Sequence, residues 1–310
     1  MAEEGPAAAG IDGLRELEPS PVESPSKEKK DAPLVETRQT PAHLHPSRLG
    51  LNGNHGPSYY LSRLQRYSSY TFTVFAALHF TNTALIPLAA SSLSSADSYL
   101  LLTRPYYQSP LAEPLLVALP LATHIAAGLA LRLVRRAQNL RRYGAARSDD
   151  AGWCARLAQG WPPLNGISIL GYALVPMVAG HAFLNRGLPW IHDGGSSNVG
   201  LEYVAHGFAK HPVVSFVGFA GLVGVAAWHF TWGWARWLGW SPSGVAPGVV
   251  EYRARRKRRW YLVNAVSVVV AGVWMAGGLG VVGRGGAATG WVGRQFDDLY
   301  SKVPIVGKWL

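Results

Sequence analysis

Five uninterrupted apolar blocks constrain this chain more than any other feature. They lie at about residues 70–90, 114–134, 164–184, 212–238 and 260–282. A helix rising about 1.5 Å per residue needs about 20 residues to cross about 30 Å of hydrocarbon, and each block has that length. Only 15% of the residues are charged, against about a quarter in an ordinary soluble domain. The pattern therefore predicts an all-α fold, a polytopic transmembrane bundle of five helices. It also predicts two parts: a tail over 1–57 and a membrane domain over 58–310.

The net charge of +11 raises nucleic acid as a partner, but the distribution of the charges argues against it. Basic residues crowd at the ends of the apolar blocks, as in "RLVRRAQNLRRYGAAR" and "YRARRKRR". That is the placement of juxtamembrane residues that set topology and meet anionic membrane lipids. The loops between blocks two and three and between four and five hold the dense arginine series. The other two connections carry only Arg104, and Arg186 with Lys210. Both basic loops share a face with the N-terminus, which is expected to be cytosolic, with the C-terminus opposite.

The tail is rich in Pro, Ser and charge and too poor in apolar residues to offset its ordering entropy, so it is expected to be disordered. "MAEEGPAAAGIDGLRELE" holds five acidic residues and one Arg, unlike an Arg-rich, acid-poor matrix presequence. "YYLSRLQRYSSY" reads as a short interfacial helix before the first span. Pro87, Pro120 and Pro176 fall within or near spans, where neighbouring helices can satisfy the freed carbonyls.

Four spans each contain one histidine: His79, His124, His181 and His229. An ionisable side chain in hydrocarbon is costly and faces the bundle interior, so each is a functional candidate. Three readings stay open: inter-helix hydrogen bonding, axial ligation of haem b, and a path for protons or a solute. Gly128 and Gly233, one turn after His124 and His229, would make room for a porphyrin. Helix rise places His79, His124 and His229 about 14–18 Å below the basic face and His181 about 25 Å below it. On that count a haem pair lies among the first three, and His181 lacks a partner. His206 and His211, near Glu202, are a weak metal signal in a connecting loop, more consistent with surface histidines. Cys154 is the only cysteine, which excludes a disulfide framework. No metal is expected beyond a haem iron, and no catalytic residues stand out: an enzyme is not expected. "GGLG" (277–280) reads as a close-packing stripe.

Five spans, a histidine in each of the first four and "RLQRYSSYTFTVFAALHFTN" at the start of the bundle resemble the fungal mitochondrial outer-membrane adapter family. That family's membrane domain looks distantly like the cytochrome b anchor subunits of succinate dehydrogenase. The resemblance covers about residues 58–310. It implies a mitochondrial outer-membrane location with the C-terminus in the intermembrane space, no required cofactor, and a role in lipid homeostasis at membrane contact sites. It further implies a cytosolic tail that recruits a chorein-family bridge-like lipid-transfer protein through hydrophobic-x-x-hydrophobic-x-Pro-x-Pro. "LRELEPSP" supplies Leu14, Leu17, Pro19 and Pro21 at the four specified positions. Prolines pre-set an extended backbone, and alternate residues of an extended peptide share a face. Ser20 and Ser24, each beside a proline, are candidate phosphosites.

Overall fold

The computed structural model describes residues 55–143, 158–248 and 250–304. All regular elements among them are helices. The spans are α1 (Pro57–Ala90), α3 (Pro114–Tyr143), α4 (Gly166–Asp193), α6 (Pro212–Trp237) and α7 (Tyr252–Arg284), each lying in a segment long and apolar enough to cross a membrane. The chain is a multi-pass membrane protein. Three shorter helices, α2 (Leu93–Thr103), α5 (Leu201–Lys210) and α8 (Gly290–Ser301), join them, with single helical turns at Pro105–Gln108 and Pro242–Gly244.

The expected separate interfacial helix is instead continuous with the first span. No Gly or Pro interrupts the chain from Ser58 to Ile86, so the helix propagates once nucleated. At 34 residues, α1 is about 50 Å long and must project well beyond the hydrocarbon. The arginine series after the second block is also helical, forming the end of α3.

Three prolines are accommodated by a widened turn rather than a simple kink. The π-turns Thr81–Leu85, Pro114–Ala118 and Phe183–Gly187 directly precede Ile86-Pro87, Leu119-Pro120 and Leu188-Pro189. A proline ring collides with the carbonyl four residues back, and an inserted residue in that turn relieves the collision. A further π-turn, Ala276–Val281, lies in the "AGGLG" stretch of α7 and has no proline. Here glycine answers a close approach, because a Cβ on Gly277 would lie 2.0 Å from the Ala84 carbonyl oxygen of α1.

Within the bundle α1 packs on α3, and α6 packs on both α4 and α7. Contacts fix one face where α1 begins and α3 ends: Gln138 donates to Ser58, and Arg66 lies over the Trp237 ring at the end of α6. The opposite face carries a folded cap, of which α2 and α5 come from connections that the apolar blocks alone leave as loops. There α2 packs on α5, α5 on the end of α7, and α8 on α5. Two clusters of buried apolar residues lie in this cap. Ala96, Leu100, Leu201, Ala205 and Val282 form one, and Val199, Tyr203, Phe296 and Leu299 form the other.

Paired histidines as the candidate functional site

The four intramembrane histidines meet in two pairs. His124 of α3 and His229 of α6 have ring centroids 6.2 Å apart, nearly perpendicular at 89°. His79 of α1 and His181 of α4 are 5.9 Å apart at 68°. The second pair corrects the depth count, which left His181 without a partner. That count started every helix at the edge of its apolar block, whereas α1 begins at Pro57 and α4 at Gly166. Helices that overhang by different lengths do not share a zero of depth.

The two pairs occupy different levels. Gln65, whose carbonyl bonds His124, precedes His79 by 14 residues on the same helix, or about 21 Å along its axis. The His124 pair therefore lies nearer the basic face.

Their surroundings also differ. His124 Nδ1 donates to the carbonyl of Gln65 in α1 at 3.1 Å, and His229 Nδ1 donates to that of Ile167 in α4 at 3.1 Å. A carbonyl only accepts, so Nδ1 carries the proton in both rings and Nε2 presents a bare lone pair. Among the described residues neither Nε2 has a hydrogen-bond partner. Gly171 brings α4 close to His229, since a Cβ there would come within 2.9 Å of the imidazole Cε1. His79 stacks on Phe75 and meets Trp274 edge-on, while His181 meets Phe219 edge-on. Asn185 Nδ2, which donates to the His181 carbonyl at 2.8 Å, also faces His181 Nδ1 at 3.4 Å. That pair is packed among aromatic rings, with a donor set against one nitrogen.

The flanking glycines do not behave alike. A Cβ on Gly128 would collide with the Gln65 side chain at 2.7 Å, so this glycine admits α1 and does not open a porphyrin space. A Cβ on Gly233 would meet nothing within 4 Å.

The cap holds polar groups of another kind. Arg104 donates to the carbonyls of Ser196, Ser197 and Val199, stitching two connections together. Arg186, which belongs to α4 rather than to a connecting loop, pairs with Glu113 through both carboxylate oxygens. Asp97 accepts from the Leu201 N–H at 2.6 Å, closing the N-terminus of α5. His206 was expected in a loop and at the surface; it is on α5 and fully buried. Its Nδ1 accepts from the Ala288 N–H at 3.1 Å and its Nε2 donates to Asp297 at 2.9 Å. Both nitrogens are thus occupied, which disposes of the metal reading. Burial pushes the Tyr203 phenol up to about 12 and raises Tyr300 as well. Neutral Tyr300 donates to the Tyr203 carbonyl.

The missed signal was amphipathic spacing: Leu201, Ala205 and Phe208 recur at helical intervals and are all buried. Leu14, Leu17, Pro19 and Pro21 lie outside the described residues, as do Cys154, Ser20 and Ser24.

No curated protein and no solved structure matches the chain. One family model does, over residues 176–287, just over a third of the sequence. The matched stretch holds His181, the buried His206 of the cap and His229. Over it the chain is similar to the transmembrane domain of MDM10-complementing protein 1.

Proposed function

We propose that the chain is a mitochondrial outer-membrane adapter that recruits a chorein-family bridge-like lipid-transfer protein to contact sites. The similarity of residues 176–287 to the MDM10-complementing protein 1 transmembrane domain carries the reading. In it, the five-span body is an anchor and the tail is the capturing element. Leu14 and Leu17 fill apolar pockets, and Pro19 and Pro21 hold the peptide extended, which lowers the ordering cost of docking. Glu16 and Glu18 favour a basic rim on the partner.

The charge pattern supports a cytosolic tail. Arg253, Arg255, Arg256, Lys257, Arg258 and Arg259 gather at the start of α7, and Arg135, Arg136, Arg141 and Arg142 at the end of α3. Both ends belong to the face where α1 begins, and such a surplus of Lys and Arg marks the cytosolic side. Adapter function needs no chemistry of its own. A short peptide that orders on binding gives modest affinity, so phosphorylation at Ser20 or Ser24 would tune recruitment.

Replacing Leu17, Pro19 and Pro21 together with alanine is expected to reduce partner recruitment at least about tenfold, since a few anchors dominate such interfaces. Alkaline extraction should still leave the variant in the membrane. Fluorescence co-localisation of the tagged transfer protein reads the effect, and unchanged recruitment removes the motif from the account. Protease treatment of intact mitochondria should release an N-terminal epitope.

A further inference from the structure

We propose that the bundle holds one anionic phospholipid in the seam between α3 and α4 at the basic face, a site independent of the adapter reading. α3 packs on α1, and α4 packs on α6. At the basic face α3 is tied to the segment that leads into α4. Arg132 Nη2 donates to the Pro162 carbonyl at 2.9 Å, Arg136 Nε to the Gln159 carbonyl at 3.2 Å, and Asn139 Nδ2 to the Gly160 carbonyl at 3.0 Å. Both guanidinium groups lie over the Trp161 ring, at 5.7 Å for Arg132 and 4.7 Å for Arg136.

Two cavities meet at Trp161. One, of about 460 Å³, is lined by Leu129, Leu133, Leu164 and Tyr172 together with Arg132, a volume within the range of small-ligand sites, about 300–1,000 Å³. Those four apolar side chains belong to two of the apolar blocks, yet all are exposed, so the cavity opens toward hydrocarbon. The other, of about 220 Å³, is lined by Asn139, Tyr143 and Gln159 among others. α3 runs toward the basic face, so the apolar cavity is the deeper of the two. Leu129 and Tyr143 are 14 residues apart, or about 21 Å along the axis. From the bilayer outward the seam presents an apolar wall, then an aromatic ring under two guanidinium groups, then side-chain amides. A phospholipid has its parts in that order: acyl chain, phosphate, headgroup.

The head decides the selectivity. An acyl chain gains little by leaving the bilayer for this groove, because lipid tails are as apolar as leucine. The planar fork of arginine suits phosphate oxygens, and basic pockets between spans take anionic headgroups. Arg132 uses one of its five N–H groups on Pro162. Among the described residues no Asp or Glu lines either cavity. A zwitterionic headgroup would bring its own cation against the two arginines, whereas an anionic one would not. A soluble anion would leave the apolar cavity unfilled. Trp161 and Tyr172 are residues of the kind that settle at headgroup level.

The test is native mass spectrometry of the purified full-length protein in mild detergent, titrated with dioleoyl phosphatidylserine or dioleoyl phosphatidylcholine. The expected result is one retained phosphatidylserine per chain, bound at least about fivefold more tightly than phosphatidylcholine. Arg132→Gln should weaken it about fivefold, and Arg132→Lys should keep most of the preference. Leu133→Trp, which fills the apolar cavity from an exposed position, should weaken it likewise. Arg255→Gln, a basic residue of the same face on α7, should leave it unchanged, and inorganic phosphate should not displace the lipid. Equal binding of the two lipids overturns the site. So does wild-type binding in both Arg132→Gln and Leu133→Trp, or an equal loss in Arg255→Gln, which would mark diffuse surface charge. Displacement by inorganic phosphate would mark an anion site without a lipid. Neither the tail nor its partner enters the assay, so its outcome is separate from that of the recruitment experiment.

Discussion

Replacing Gly277 with alanine is expected to destabilise the membrane body by about 3 kcal/mol, the upper end of the usual range for overpacking. Intrinsic propensity points the other way, because alanine is favoured over glycine inside a helix by about 1 kcal/mol. The sign therefore tests whether close approach or propensity governs this position. The obstacle is the Ala84 backbone, with its carbonyl oxygen 2.0 Å from where the Cβ would lie. A flexible side chain could swing aside; a carbonyl within a helical turn moves only with its helix. Both helices also widen near this contact, at Thr81–Leu85 and Ala276–Val281, so the crossing is shaped from both sides. Valine should be worse than alanine. Gly272, one turn earlier on α7, provides the control: a Cβ there meets nothing within 4 Å, and Gly272→Ala should be neutral or slightly stabilising. Thermal unfolding in detergent compares the three. Equal stability of Gly277→Ala and Gly272→Ala would mean that α1 and α7 do not depend on this contact.

The same crossing shows what could be read in the chain and what could not. Apolar length alone locates five helices, because hydrocarbon imposes one requirement on every span: its backbone must be satisfied internally. "GGLG" was legible as a packing stripe, since only glycine permits such an approach. Its partner was not, because nothing local to residues 277–280 names Ala84. The histidines divide similarly. Their presence inside spans was plain, and the pairing was not. Pairing depends on how far each helix overhangs the membrane, a property of neighbouring elements rather than of the apolar block itself. The cap was overlooked for another reason. Connections of about 25 residues between spans were treated as loops, although Leu201, Ala205 and Phe208 already carried a helical period. Burial of His206 follows from that helix, since Tyr203, Phe296 and Leu299 close over the same side of the cap.

His206 also carries the second large effect. Its replacement with alanine should free α8 from the cap at a cost of about 2–5 kcal/mol, through a cavity and an unmade hydrogen bond. The ring is fully buried, at 0% exposure, and lies against Phe296 and Tyr300. Removing it strands the Ala288 N–H and deprives Asp297 of its principal donor. Asp297→Asn should cost much less, because this carboxylate is about half exposed and retains water as a partner. Amide exchange in residues 290–301 distinguishes the two variants: fast in His206→Ala and close to wild type in Asp297→Asn. Acid gives an independent check. The His206 hydrogen bond, with Lys210 assisting, holds the Asp297 carboxyl below its ordinary value. A carboxyl depressed in the folded state stabilises it at pH above the unfolded value, about 3.9. That contribution disappears as pH falls through the folded value. This group should therefore leave the docking of α8 unchanged between pH 7 and 5 and should weaken it only slightly below about pH 4, by no more than the small cost of Asp297→Asn. Release of α8 already at pH 6 would mean that a group other than this carboxylate governs its docking in acid.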